Sequence, residues 1–508
     1  MTAVERRAAP PGPDAPDAAG ARNAPDRAAP SARRLLSAPV PAPTGLRRLV
    51  PRTAASRIRG LSALVVVVLL ALLAVTAATI AQAREGMRVI GHDAGPQVVA
   101  TGDLYSQLTD MDAQLANALL AGDSEPGVRA EALELYDLNR LRAGEALIEA
   151  AKLADDPIEE DTARALLDAL ARYERLAGQA LLLERRTQHQ AGPPPEEVLT
   201  VYQQATDLMK LDLLPKAYNL TLDNGALVRE TYEEQRSAVL TGLVRVIAVG
   251  VLLLVTLVVL QVFLAVRFRR LLNAGLALAT VGALALVTAS GLMLWGQAES
   301  LRNAKEQGFD SILALSRTRA ISNNAAADQT RYLLDPGRID TYEQVYLNKS
   351  KTILYVSSGS LAEYNTAVKN VKYDPRGGNE FLGFLGTEAD RPVRDAATRA
   401  RIATIFGTVI QEYQRFQQLD HEMRRLVESG ERGRAVAERG GPTAQFRRYD
   451  RALQELEEIR RDEFDAAIAA GDGGTRGWYG VLPIAGVVIV AFLLIGVWPR
   501  LSEYRWSK

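Results

Sequence analysis

The sequence predicts an all-α integral membrane protein with four transmembrane helices and two extracellular four-helix bundles, a span–bundle–span unit used twice. Two observations carry this. Four long apolar stretches interrupt the chain, and the two large segments between them place apolar residues at three- and four-residue spacing, with turn signals separating the runs.

The apolar stretches run Leu61–Ala83, Val246–Val266, Leu271–Trp295 and Val481–Trp498. Each reaches or approaches the roughly 20 uncharged residues that a helix needs to cross a hydrocarbon core of about 30 Å. Trp478, Tyr479 and Trp498 bracket the shortest stretch as interfacial anchors. Arg245 lies near one end of the second, where a long side chain can snorkel to the headgroups. A basic segment precedes the first stretch, as in a signal peptide. That stretch exceeds the roughly 7–15 residues of a signal-peptide core, so it is expected to be retained as a span.

Arginines in the short flanks set the orientation. Arg33, Arg34, Arg47, Arg48, Arg52, Arg57 and Arg59 precede the first span. Arg267, Arg269 and Arg270 lie between the second and third, and Arg500, Arg505 and Lys508 follow the fourth. The positive-inside rule puts all three groups in the cytoplasm, so both termini are cytoplasmic and the bundles lie outside the plasma membrane. The expected organisation is a disordered Pro/Ala/Arg tail over 1–60, spans at 61–83, 239–266, 271–296 and 478–498, and bundles at 84–238 and 297–477. A link at 267–270 and a tail at 499–508 complete it.

Within the first bundle, Leu104, Leu108, Met111, Leu115 and Leu119 make one helical stripe, closed by the turn around Gly122 to Gly127. A second run reaches Leu147 and ends at Asp155-Asp156-Pro157. A third, through Tyr173 and Leu182, ends at Gly192-Pro193-Pro194-Pro195. The fourth starts at Glu196 and continues into the second span, with an irregularity expected at Pro215. The second bundle repeats the plan with helices at about 299–334, 340–370, 392–429 and 442–470, the last running on towards a span.

Composition narrows the chemistry. Lys plus Arg and Asp plus Glu are equal at 60 each, which gives no sign of a nucleic-acid partner. Zero cysteines exclude disulfides and thiolate metal sites. His92, His189 and His421 are scattered, and no nucleophile elbow, phosphate loop or dinucleotide fingerprint is present. The reading is a non-enzyme with no metal site and no cofactor.

Polar residues on otherwise inward helix faces are more informative. With Ile312 facing in, Leu315, Ala326 and Leu333 share that face, and so do Ser316, Arg319, Asn323 and Thr330. An arginine buried there must be paired, hydrated or waiting for an anionic group. In the first bundle Asp112 sits beside the apolar stripe with Tyr105, while Asp110 and Asn117 share the opposite face. These are either a polar layer that fixes helix register or ligand and partner contacts. Phe381 and Phe384 lie in a loop of the second bundle and either fold back on it or dock a partner. Gly275, Ala279, Ala283 and Gly291 form a small-residue stripe that permits close helix packing in the membrane.

Two such units resemble the sensory ectodomains of bacterial chemoreceptors, and Ser429 to Ala437 is similar to the loop those domains carry before their last helix. More narrowly, Ile90-Gly91-His92-Asp93-Ala94-Gly95-Pro96, with Leu104-Tyr105 and Asp110-Met111-Asp112-Ala113-Gln114, resembles the actinobacterial GlnX-type membrane proteins. That resemblance implies a sensor of an extracellular amino acid. Its implied partners are an amino-acid-binding lipoprotein (an extracellular solute-binding protein) and the cytoplasmic serine/threonine kinase PknG. The chemoreceptor likeness suggests a homodimer, and the spans imply contact with membrane lipid. Arg267, Arg269 and Arg270 are the candidates for contact with the cytoplasmic partner. The rival reading is an accessory or scaffold subunit of a transport or envelope complex, but no span carries an ionisable residue at its middle.

Overall fold

A computed structural model describes residues 54–153, 157–268, 273–393 and 395–503. The tail before residue 54, Arg269, Arg270 and the last five residues lie outside the described residues. About 89% of the described residues are helical and strands are absent among them, so the protein is all-α. Four helical stretches, Ser56–His92, Glu196–Arg267, Ala274–Leu334 and Gly440–Pro499, are long and apolar enough to cross a membrane. The protein is a multi-pass membrane protein.

Helix α1 (Ala54–Arg88) passes through a π-helical turn at Val89–Ala94 into α2 (Gly95–Ala121). Then come α3 (Pro126–Leu153), α4 (Pro157–Thr187) and α5 (Glu196–Leu208). A second π turn, Met209–Leu213, joins α5 to α6 (Leu214–Phe268). The amide of Leu214 bonds the carbonyl of Met209, and the next residue, Pro215, has no amide to give. The irregularity expected at Pro215 is this turn. The stretch from Glu196 to Arg267 has 72 residues, about 108 Å at a helical rise of 1.5 Å per residue. Only a third of that length is needed to cross lipid, so the rest is a rod that ties bundle to span.

The second half follows with α7 (Ala274–Asn303), a π turn at Ala304–Phe309 and α8 (Asp310–Leu334). Next are α9 (Ile339–Ile353), α10 (Leu361–Lys369), α11 (Gly383–Ala389) and α12 (Ala396–Glu428). Last are α13 (Arg432–Glu438), α14 (Gly440–Thr475) and α15 (Trp478–Glu503). The helix expected over 340–370 is therefore two, separated at Leu354 to Ser360, where Ser360 caps α10 by accepting from the Glu363 amide. The last rod is not continuous either. Gly477 takes φ +98° and separates α14 from α15.

The four span segments pack around one apolar core that includes Leu69 of α1, Leu257 of α6, Ala283 of α7 and Ile489 of α15. Gly275 serves this packing: a Cβ there would sit 2.7 Å from the Gly496 amide nitrogen and 2.8 Å from the Phe492 carbonyl oxygen. That part of the small-residue stripe works within the chain, between α7 and α15.

Above the spans α14 crosses both first rods at their π turns. Ile468 lies against Gly91, and Phe464 lies against Gly95 and Gly308. The π turns Val89–Ala94 and Ala304–Phe309 fall at matching points of the two halves. The two bundles share one core, because Tyr332, Leu333, Leu334, Met423, Ala435 and Val436 of the second half pack into the cluster built on Leu104, Tyr173 and Tyr202 of the first.

Candidate functional site

Helices α2 and α8 lie side by side and form the seam between the bundles. Close approach begins where Gly102 faces Ser316: a Cβ on the glycine would come within 2.8 Å of the serine hydroxyl. About three turns further along α2, charge enters the seam. Asp112 of α2 and Arg331 of α8 are both fully buried, with Nη2 and Oδ2 2.6 Å apart.

Both oxygens of Asp112 accept further bonds. Tyr173 donates to Oδ1 at 2.9 Å, and Thr206 donates to Oδ2 at 2.8 Å. Arg331 in turn donates through Nη1 to Asp328 at 2.6 Å. Asp328 also pairs with Lys349 of α9 and with Lys210 of the second π turn, the latter at 3.0 Å. Burial alone opposes charge on Asp328, but Lys349, Lys210 and Arg331 outweigh it and hold the carboxyl below the usual carboxylate range. Burial works against the Arg331 charge too, and Asp112 and Asp328 reverse that. Lys349 is pulled down to about 8 by burial, with Asp328 resisting. Three cations and two carboxylates from α2, α8, α9 and the second π turn thus form one ionic knot, sealed at Asp112, Asp328 and Arg331 and partly exposed at the two lysines. Such a knot adds little net stability, but it admits only one registration of the bundles.

Neutral bonds flank it. Asn324 donates to the Tyr105 hydroxyl at 3.1 Å, and Thr330 donates to Asn117 at 2.9 Å. At the end distal to the spans, Gln203 donates to Asp335 at 3.0 Å, and Arg338 holds Asp207 through both terminal nitrogens.

A cavity opens on each side of the seam. On one side about 350 Å³ is enclosed between α2, α3, α8 and α14, with Asp110, Asn117, Asn139, Arg142, Asn323 and Asp450 among its lining residues. Asp110 is pushed up to about 7, chiefly by burial, with Asp450 adding to the shift and Arg319 opposing it. Arg319 does not point an unpaired charge into this space: Nε donates to Asp450 at 3.0 Å and Nη1 to Glu457 at 3.2 Å. On the other side lies a larger cavity of about 610 Å³, walled by tyrosines of α2, α6 and α9 and by basic residues of the second π turn, of α9 and of the turn before it.

Of the residues singled out in the sequence, Asp110, Asn117 and Asn323 line the smaller cavity together. Asp112 lies in the knot, Ser316 faces Gly102, and Arg319 braces α8 against α14. Phe381 is buried in the second bundle's core, beneath a two-bond bridge between Tyr355 and Leu382. Phe384 is half-buried beside it. Arg267 is exposed at the end of α6. Sequence reasoning missed Arg331, Asp328, Lys349 and Lys210. A signal existed: Asn324, Asp328 and Arg331 recur at four and three residues on α8, one polar stripe along a face otherwise expected to be apolar.

No curated protein and no solved structure matches the chain. Residues 86–233, which hold α2 to α5 and the start of α6, match the actinobacterial sensor domain family. This stretch is therefore similar to a sensor domain of actinobacteria, which suggests a sensing or signalling role for the protein.

Proposed function

We propose that the protein is a transmembrane sensor in which the smaller seam cavity takes one free amino acid. The observation that carries this is the composition of the cavity wall. Asp110 and Asp450 suit an ammonium group, Arg142 and Arg447 suit a carboxylate, and Asn117, Asn139 and Asn323 supply amides for the rest. At about 350 Å³ the space is at the small end of ligand pockets, which matches a metabolite of this size.

The relay follows from the walls. A ligand there touches α2, α8 and α14, and each of these leads towards a span through a π turn or through Gly477. Tightening the walls favours one packing of the seam and moves the span ends. With the bundles outside, the orientation that the arginine flanks favour by the positive-inside rule, the ligand arrives free or from a binding lipoprotein, and a cytoplasmic serine/threonine kinase reads the change near Arg267 and the tails. The role is that of a binding protein and not of an enzyme.

The test is calorimetric titration of the full-length chain in lipid nanodiscs with the twenty standard amino acids singly. Binding of one chemical group of them, lost in Asp110→Asn, is the expected result. Absence of binding, with and without an added amino-acid-binding lipoprotein, overturns the reading.

A further inference from the structure

The cavity on the opposite side of the seam has a different chemistry and is independent of the amino-acid reading. Its wall carries three cations, Lys210, Lys349 and Arg338, against one carboxylate, Asp207. The remainder is mostly ring and aliphatic surface from Tyr105, Tyr218, Tyr342, Leu214 and Val345. The carboxylate that balances the two lysines, Asp328, is fully buried behind the wall.

We infer that this cavity is a second ligand site, for a small monoanionic carboxylate with an apolar body. The donor capacity of the wall says where the anion sits. Lys349 spends its ammonium on Asp328 and on the side chain and carbonyl of Asn324. Arg338 spends two nitrogens on Asp207. Lys210 reaches Asp328 at 3.0 Å and lies 4.6 Å over the Tyr342 ring. An ammonium has three protons, so Lys210 keeps donors for an incoming carboxylate. Tyr105 accepts from Asn324, which leaves its own hydroxyl proton to give. The apolar body then lies against Tyr218, Leu214 and Val345. A dication or a neutral sugar meets neither demand of this wall.

The position gives the site a consequence. Lys210 belongs to the π turn Met209–Leu213, and Lys349 and Arg338 flank the two ends of α9. An anion there joins Lys210 of the long α5–α6 rod to Tyr105 of α2, while its apolar body reaches Val345 of α9 in the second half, across the seam from the other cavity.

The experiment uses the full-length chain in nanodiscs and three probes: phenylacetate, octanoate and the neutral phenylacetamide. At least one of the two carboxylates is expected to bind, and phenylacetamide at least about tenfold more weakly. Phenylacetate alone marks an aryl body, and octanoate alone an acyl body. Lys210→Met is expected to lose binding at least about tenfold while Asp328 keeps Lys349 and Arg331. Val345→Trp, which fills the space and touches no charge, is expected to lose it as well. Circular dichroism confirms that both variants stay helical, and if one unfolds the other decides. Asp110→Asn is expected to leave the carboxylate affinity unchanged even if amino-acid binding fails. Equal binding of phenylacetamide, binding unaltered in both cavity variants, loss of it in Asp110→Asn, or no binding of either carboxylate overturns the inference.

Discussion

Asp112 and Arg331 are 219 positions apart in the chain, belong to different halves of the repeat, and meet with both side chains sealed from solvent. A pair of this kind costs much to desolvate and is tolerable only when both charges are present and fully bonded. The two bundles therefore work as one body, and the ionic knot is the buried polar contact that fixes their registration.

Arg331→Met leaves Asp112 buried without its ion-pair partner, while Asp328 keeps Lys349 and Lys210. It is expected to destabilise the bundles by about 3–5 kcal/mol, because a buried charge has lost its partner. Asp112→Leu combined with Arg331→Met is expected to be less damaging than the sum of the single changes. Unfolding of the three variants followed by circular dichroism checks this. Strict additivity would mean that the pair does not couple the halves.

Stability should depend on Asp110 with a definite sign. Its folded pKa is raised from 3.8 to about 7. The folded chain therefore holds this proton more tightly than the unfolded chain, and the Asp110 contribution to stability falls as pH rises from about 4 to about 7 before levelling. Asp450, Glu131, Arg142 and Arg447 face the same space, and Arg319 braces it through Asp450. Asp110→Asn should match the parent near pH 4 and melt at a higher temperature than the parent at pH 8. A variant that melts lower than the parent at pH 8 contradicts the buried-carboxylate account.

The crossing of α14 over the π turns is close enough to be broken with one methyl group. A Cβ on Gly308 would lie 2.6 Å from Cβ and 2.8 Å from Cα of Phe464. Gly308→Ala is expected to cost about 1–3 kcal/mol through forced displacement of α14. Because the Phe464 backbone is part of the clash, adding Phe464→Ala should not restore stability. Recovery in the double variant, read as melting temperature, would show that only the ring was in the way.

In the membrane, Gly275→Leu should separate α7 from α15, since the space is bounded by the Gly496 backbone and the Phe492 carbonyl and not by a flexible side chain. The prediction is lost cross-linking between cysteines placed at Gly282 and Ile489, which face each other on those helices. Unchanged cross-linking would mean that the two spans approach through other residues.

Much of the architecture was legible from the chain. Helix positions followed from spacing: the stripe of Leu104, Leu108, Met111, Leu115 and Leu119 is buried as expected. Pro215 marked a real irregularity because a missing amide acts locally. Asp110, Asn117 and Asn323 were recognised as misplaced polar groups, and they do share a cavity. Arg331 was not recognised. Its neighbours Tyr332, Leu333 and Leu334 made the end of α8 read as apolar, and its partner Asp112 offers no sequence-local sign of the pairing. Leu354 to Ser360 was likewise read as helix, because its break is held by Tyr364, whose hydroxyl bonds the carbonyls of Ser350 and Leu354 from the next helix.

By itself the sequence determined the four spans, the repeated helical plan and the inward polar residues, because apolar periodicity and backbone chemistry act over a few residues. Only the tertiary structure decided that the bundles merge, that Asp112 meets Arg331, and that two cavities of opposite character lie back to back across α2 and α8. Those outcomes depend on how far each rod is rotated against its neighbour. That rotation is set by contacts between residues hundreds of positions apart, such as Gly102 with Ser316 and Gly308 with Phe464, and no local pattern encodes it.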